Sequence, residues 1–359
     1  MVIQYKCPSC GADMEFDAET GKMKCKSCGH AEKAEDMVTT SGEDPDAFLN
    51  DYEEFEEETS YDTYGEDAVN QYLCNHCGAV IIAGKDTAAT RCEFCGSPVV
   101  LGDRLQGELA PTNVIPFKIT KEEAEEAFRK WCRHGLLLKS DFKQANRIKS
   151  LTGMYVPFWL FDVKSQGEVN AHCIRQRTFE QGDYIITETK HYDVFRKVDI
   201  DYQKIPADAS EKMNDVMMDK LEPFQYEDMK KFQTPYLAGY LAEKYNYTDK
   251  ELFPRVQQRV KRYTESYIRS TIIGYKSVQF MRKDLWEYQK NAEYTLLPVW
   301  MFCYDYKQAE HNFYMNGQTG KIVGKPPIDA KKVALCFLIA SVISYGILAL
   351  LILLWINLF

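Results

Sequence analysis

Eight of the twelve cysteines fall into two copies of one pattern. Cys7-Pro-Ser-Cys10 is followed, after fourteen residues, by Cys25-Lys-Ser-Cys28. Cys74-Asn-His-Cys77 is followed, again after fourteen residues, by Cys92-Glu-Phe-Cys95. A glycine comes directly after each pair, at Gly11, Gly29, Gly78 and Gly96. A Cys-x-x-Cys segment forms a tight knuckle with both sulfurs on one side, and the glycine can take the positive φ that such a turn needs. Two knuckles about fifteen residues apart can meet at the tip of a hairpin and place four thiolates around one ion, at about 2.3 Å for tetrahedral Zn²⁺. The spacing predicts two structural Zn²⁺ ions per chain, one on Cys7, Cys10, Cys25 and Cys28 and one on Cys74, Cys77, Cys92 and Cys95. A closed Cys₄ set leaves no position for water or substrate, so the metal folds its module and does no chemistry. A ribbon of about thirty residues has too little core to fold without it.

Iron held by similar knuckles, as in rubredoxin, is the alternative metal. A disulfide framework would need an oxidising compartment, and the start of the chain, Met1-Val-Ile-Gln-Tyr-Lys-Cys7, does not read as an apolar signal segment. His76 and His30 lie beside the knuckles but no ligand is missing, so both are expected to face solvent. Cys132, Cys173, Cys303 and Cys336 are isolated and read as packing residues.

The balance of charge narrows the partners. The net charge is −9 and the pI about 5.4, which argues against a surface made for phosphate. The second ribbon is not basic either: Lys85 and Arg91 stand against Asp86, Glu93 and Asp103. Each metal-bound Cys₄ set would add about two negative charges.

Val333 to Phe359 are twenty-seven residues without a charge. As a helix they would run roughly 40 Å, against a hydrocarbon core of about 30 Å. The run predicts one transmembrane helix, with Trp355 suited to an interface. Lys321, Lys325, Lys331 and Lys332 precede it and nothing basic follows, so the positive-inside rule keeps the N-terminal domains in the cytoplasm of a single-pass protein of the cell membrane. Ser341, Ser344 and Gly346 offer a weak helix–helix contact, so an oligomer is compatible with the pattern.

The elements between these ends must hold the ribbons. Ser41 to Ala68 contains twelve acidic residues and neither Lys nor Arg. It reads as a solvated linker, or as a short acidic helix in which Phe48, Leu49, Tyr52 and Phe55 face one way. Thr120 to Glu123 is a capping box, followed by the stripe Ala124, Ala127, Phe128, Trp131 and Cys132 and a stop at Gly135. Residues 154–202 read as several strands broken at Ser165-Gln-Gly167 and Gln181-Gly-Asp183. Helical patterns lie near 208–220 and 249–270, and strands resume from about 272 to 323, with turns at Asn316-Gly317 and Thr319-Gly320. Val156-Pro-Phe-Trp-Leu-Phe-Asp162 echoes Leu297-Pro-Val-Trp-Met-Phe-Cys-Tyr-Asp305, suggesting two related halves; Asp162 and Asp305 read as strand-end residues rather than a catalytic pair. The expected architecture is multidomain: zinc ribbon 1 at 1–38, an acidic linker at 39–70, zinc ribbon 2 at 71–102, an α+β domain with antiparallel sheet at 103–330, and a C-terminal transmembrane helix at 331–359.

The ribbons resemble those of transcription factor IIB and the zinc knuckles of primosomal helicases, over about sixty residues. No Gly-x-x-x-x-Gly-Lys-Ser/Thr loop is present to drive a motor. More of the chain resembles a family of zinc-ribbon membrane proteins common in Gram-positive bacteria. The likeness is carried by YLAGYLAEKY at 236–245, LPVWMF at 297–302 and NGQTGKIVG at 316–324. That resemblance implies partners among flotillin-like (SPFH) scaffolds and phage-shock-type proteins, and it carries no catalytic residues.

No nucleophile elbow, phosphate loop, open metal site or His/carboxylate cluster is visible in the sequence. The expectation is a non-enzymatic membrane adaptor whose ribbons bind protein, with the membrane lipid as its other contact. A membrane-tethered nucleic-acid-binding ribbon protein is the alternative, against which the charge argues.

Overall fold

The structure, a computed structural model, describes residues 2–37, 69–105, 110–135, 137–140, 142, 148–306 and 309–358. Nearly all of the acidic linker, including Phe48, Leu49, Tyr52 and Phe55, lies outside the described residues.

The first ribbon opens with β1 (Val2–Ile3) and forms a small antiparallel sheet from β2 (Met14–Asp17), β3 (Lys22–Cys25) and β4 (Ala31–Lys33). Alternation does the sorting: Met14 and Phe16 on β2, and Met23 and Cys25 on β3, are buried, while their neighbours face outward. The second ribbon has β5 (Val69–Leu73) paired with β6 (Val80–Gly84), then β7 (Thr87–Arg91) paired with β8 (Pro98–Leu101).

The ribbons are not beads on a string. β1 pairs with β8, Val2 opposite Leu101, so the start of the first ribbon is a strand beside the second. Beyond β9 (Asn113–Val114), the body is dominated by β10 (Ile148–Gln181) and β11 (Tyr184–Asp208), a hairpin turning at Gly182. Short β12 (Lys230–Lys231) and β13 (Leu241–Glu243) precede β14 (Ser277–Tyr306), β15 (Ala309–Asn316) and β16 (Ile322–Gly324). β13 pairs with β7 on one side and β10 on the other, which makes the β7–β8 half of the second ribbon continuous with the main sheet, of eleven strands among the described residues.

The strands expected over 154–202 are two long ones, not several. Ser165-Gln-Gly167 does not break the chain; β10 pairs through it with both β11 and β14. The glycine instead allows close approach, because a Cβ at Gly167 would run into the backbone carbonyl of Asp284. The two echoing runs lie side by side, Val156 opposite Leu297, within one continuous sheet. Asp162 and Asp305 do not meet: Asp162 pairs with Asn291 and accepts the Lys204 N–H at 3.0 Å, whereas Asp305 lies near the far end of β14.

Among the described residues four α-helices complete the chain: α1 (Lys121–His134), α2 (Asp215–Lys220), α3 (Asp249–Thr271) and α4 (Ala330–Leu358). The Thr120–Glu123 capping box starts α1, which buries Ala124, Phe128 and Cys132. Gly135 ends it with φ −65°, so its need is again space, since a Cβ there would strike Leu138. A second capping box, Thr248 with Glu251, starts α3. Its stripe Leu252, Val256, Val260, Thr264 and Ile268 is buried across the three-stranded arm β11–β10–β14, packing Ile268 among Val169, Ala171, Cys173 and Leu285. Cys132 and Cys173 are thus core residues, while Cys336 lies exposed on α4.

α4 contains a stretch, Ala330–Ile352, long and apolar enough to cross a membrane, and none of its most apolar window is buried by the rest of the chain.

Candidate metal centres

All four Cys-x-x-Cys-Gly units make the same turn. The first cysteine donates its N–H five residues ahead, from Cys7 to Ala12, Cys25 to His30, Cys74 to Ala79 and Cys92 to Ser97, at 2.7 to 2.9 Å. The glycine N–H returns to that cysteine's carbonyl at 2.8 to 3.0 Å. Gly11, Gly29, Gly78 and Gly96 hold φ between 72° and 78°, a left-handed conformation that a side chain would strain. Within each pair the first cysteine is buried and the second exposed.

The turns converge as the spacing predicts. Cys7, Cys10, Cys25 and Cys28 bring their sulfurs within 4.8 Å of one another, and so do Cys74, Cys77, Cys92 and Cys95. Sulfur separations are 3.6 Å for Cys7–Cys28, 3.5 Å for Cys10–Cys25, 3.7 Å for Cys74–Cys95 and 3.8 Å for Cys77–Cys92. A tetrahedron with 2.3 Å metal–sulfur bonds has edges of about 3.8 Å. Each set can therefore hold one tetrahedral ion with little movement.

The electrostatics ask for a cation. Backbone N–H groups of Cys28 and Ser27, outweighing burial, draw the Cys25 thiol down to about 7. The Ser97 side chain and backbone draw Cys95 down to about 6. A backbone N–H also faces Cys28 and Cys77, yet surrounding sulfurs and burial push both thiols up to about 12. Four sulfurs this close cannot all ionise alone; a dication at their centre removes the conflict.

The surroundings of the second set come largely from the first ribbon, which the sequence did not disclose. Gln4 donates Nε2 to Cys74 Sγ at 3.8 Å and to the Pro98 carbonyl at 3.4 Å. Asn75, inside the knuckle, donates to the Val2 carbonyl at 3.1 Å. Ser97, 3.3 Å from Cys95 Sγ, donates its hydroxyl to Asp13 at 2.6 Å. Asp13 also binds Lys6, and Lys6 contacts His76 at 3.0 Å. Burial opposes ionisation of Asp13, but Lys6 and Ser97 outweigh it and hold its carboxyl below the usual range. His76 is thus tied to Lys6, while His30 contacts Ser9 at 3.3 Å; both rings stay out of the sulfur sets.

The segment 234–245 joins both ribbons to the body. Tyr236 packs edge-on to Phe16 at 5.3 Å and donates its hydroxyl to Glu35 at 2.6 Å, and Ala238 accepts the Phe16 N–H at 2.9 Å. Gly239 accepts from Arg91 at 2.8 Å, and Leu241–Glu243 is β13 itself. Aromatic content and the glycine were the signals that could have marked this segment as a docking site.

A cleft of about 770 Å³ opens beside it, between the first ribbon and the body, lined by Asp17, Lys24, Thr120, Gly153, Tyr240 and Trp300 among others. A His/carboxylate grouping not seen in the sequence also forms on the arm: His172 lies 3.1 Å from Asp193 and 3.0 Å from His191. These groups form a chain rather than converging on one point.

Fold and site together define a class: two cysteine ribbons built into a sheet-rich α+β body that ends in one long apolar helix. The chain belongs to the same family as the uncharacterized protein YdjG of Bacillus subtilis, with which it is 53% identical over 337 residues, 94% of each chain. No family model matches the chain. No solved structure matches it either.

Proposed function

We propose that this chain is a non-enzymatic, membrane-anchored adaptor whose two zinc ribbons present a rigid cytoplasmic surface to a protein partner. Zinc suits the sulfur spacing and the all-thiolate donor set, and a closed Cys₄ site offers no position for chemistry. The observation that carries the partner class is an apolar face on the second ribbon. Leu73, Val80 and Ile82, on the paired strands β5 and β6, are 62%, 48% and 66% exposed. Leu73 pairs directly with Val80. Ile81 and Ala83 already fill the inner side, so this outer apolar face is not needed for the core. Clustered exposed aliphatic residues mark protein contacts. The resemblance to zinc-ribbon membrane proteins directs the search to flotillin-like and phage-shock-type proteins.

The charge pattern disfavours nucleic acid. Lys6 pairs with Asp13, Lys24 with Asp17, and Lys26 and Arg91 with Glu15, so these ribbon cations face acidic neighbours. The test is crosslinked affinity purification from membranes with wild type and Ile82→Asp. The adaptor reading expects a specific protein to co-purify with wild type and to be lost from the variant while metal content is unchanged. Recovery of nucleic acid, with steeply salt-dependent binding in titration, would reverse the assignment.

A further inference from the structure

We infer that the cationic collar at the base of α4 binds anionic phospholipid headgroups. The inference rests on the membrane-anchored reading of that helix.

The collar is assembled by tertiary contact. Leu138, after α1, forms an isolated antiparallel bridge with Ile328, just before α4. Asp329 donates its N–H to the Leu137 carbonyl at 2.9 Å, and Lys139 donates to the Pro327 carbonyl at 3.4 Å. Lys332 Nζ reaches back to the Leu138 carbonyl at 2.7 Å and to Ser140 Oγ at 3.0 Å. The loop that follows α1 is thereby fastened to the first turn of the apolar helix, although some 190 residues separate them in sequence.

That fastening gathers Arg133, Lys139, Lys325, Lys331 and Lys332 within a few residues of the bridge. Among the described residues none of the five is in a salt bridge. Arg133, Lys325 and Lys331 are exposed. Among the described residues, the acid next to the bridge is Asp329, which caps α4 by accepting the Lys331 N–H at 3.0 Å. Charge along α1 has the same polarity. Glu122, Glu123, Glu125 and Glu126 occupy its first half and Arg129, Lys130, Arg133 and His134 its last, so its acidic residues lie roughly 10–17 Å along the helix from Arg133.

Two apolar side chains sit among these cations. Leu137 is 37% exposed and Ile328 56%. Exposed aliphatic groups beside unpaired cations, at the point where an apolar helix leaves the protein, suit a bilayer interface: the cations meet headgroup phosphates while Leu137 and Ile328 enter the acyl boundary. A free phosphate would use the cations but not the apolar pair, which favours lipid.

The test uses the full chain in nanodiscs of equimolar phosphatidylcholine and phosphatidylglycerol, followed by mild detergent extraction and native mass spectrometry of the retained lipid. Wild type should retain phosphatidylglycerol preferentially. Combined Lys139→Gln, Lys325→Gln and Lys331→Gln should reduce that preference at least about five-fold, the effect of one cation at an anionic surface. Lys332 is left intact because its ammonium holds the loop. Retention of both metals checks that the variant is folded. Equal retention of the two lipids by wild type, or an unchanged ratio in the variant, overturns the proposal while leaving the anchor in place. Failure of the wild-type chain to enter the discs overturns the membrane reading itself and the collar with it.

Discussion

The guanidinium of Arg91 makes two hydrogen bonds to the Glu15 carboxylate, at 2.8 Å and 3.0 Å, and so ties the second ribbon to the first. The same Arg91 donates to Gly239 of the body. Burial works against the Glu15 charge, but Arg91 and Lys26 overcome it and hold its carboxyl below the usual range. Arg91→Ala should leave both Cys₄ sets able to bind metal while loosening the unit by about 1–2 kcal/mol, since the pair is charge-assisted but partly exposed. Faster metal release to a chromophoric chelator, at unchanged stoichiometry, is the expected result.

Elemental analysis should find two metal ions per chain, and Cys25→Ser should reduce that to one. Each ligand set is local, so the second ion stays bound. Its hold should nonetheless weaken, because Gln4, Asp13 and the β1–β8 pairing all come from the first ribbon. Chelator competition on the Cys25→Ser chain should show the remaining ion leaving sooner than the corresponding ion of wild type. Identical release would show that the two ribbons do not communicate.

Asp208 gives the chain a pH dependence. Burial pushes its carboxyl up to about 7; Oδ1 accepts the Ser210 N–H at 3.1 Å, and Oδ2 is buried without a partner. A raised carboxyl contributes most below its unfolded value of about 3.9 and loses that contribution as pH rises through 7. Asp208→Asn removes the titration. The variant should be more stable than wild type at pH 8, by up to about 4 kcal/mol, with the gap closing towards pH 4. Thermal unfolding at several pH values checks both the sign and the window.

Gly167→Ala should destabilise the arm by about 1–3 kcal/mol, because the new methyl meets the β14 backbone at Asp284, which cannot swing aside as a side chain would. Faster hydrogen exchange over 165–171 and 282–287, with both metals still bound, is the expected signature.

Truncation after Lys332 should release the protein from membranes under alkaline carbonate washing, since no other described helix is long and apolar enough to span. Retention of the truncated chain under those conditions would reveal a second anchor.

The parts legible in the sequence are those whose physics is local. A Cys-x-x-Cys-Gly turn closes on hydrogen bonds at most five residues long, so spacing alone identified both ligand sets. The Thr120–Glu123 capping box and the uncharged run from Val333 likewise carry their signals within one segment. Tertiary structure decided the rest. Strands continue wherever a partner ladder continues, so β10 passes through Ser165 and Gly167 because β11 and β14 flank it there. Arg91 and Glu15 are 76 residues apart and Lys332 and Leu138 are 194 apart. Nothing in either neighbourhood specifies such a partner; only the packing of 234–245 between the ribbons, and of the α1 loop on α4, brings those groups together.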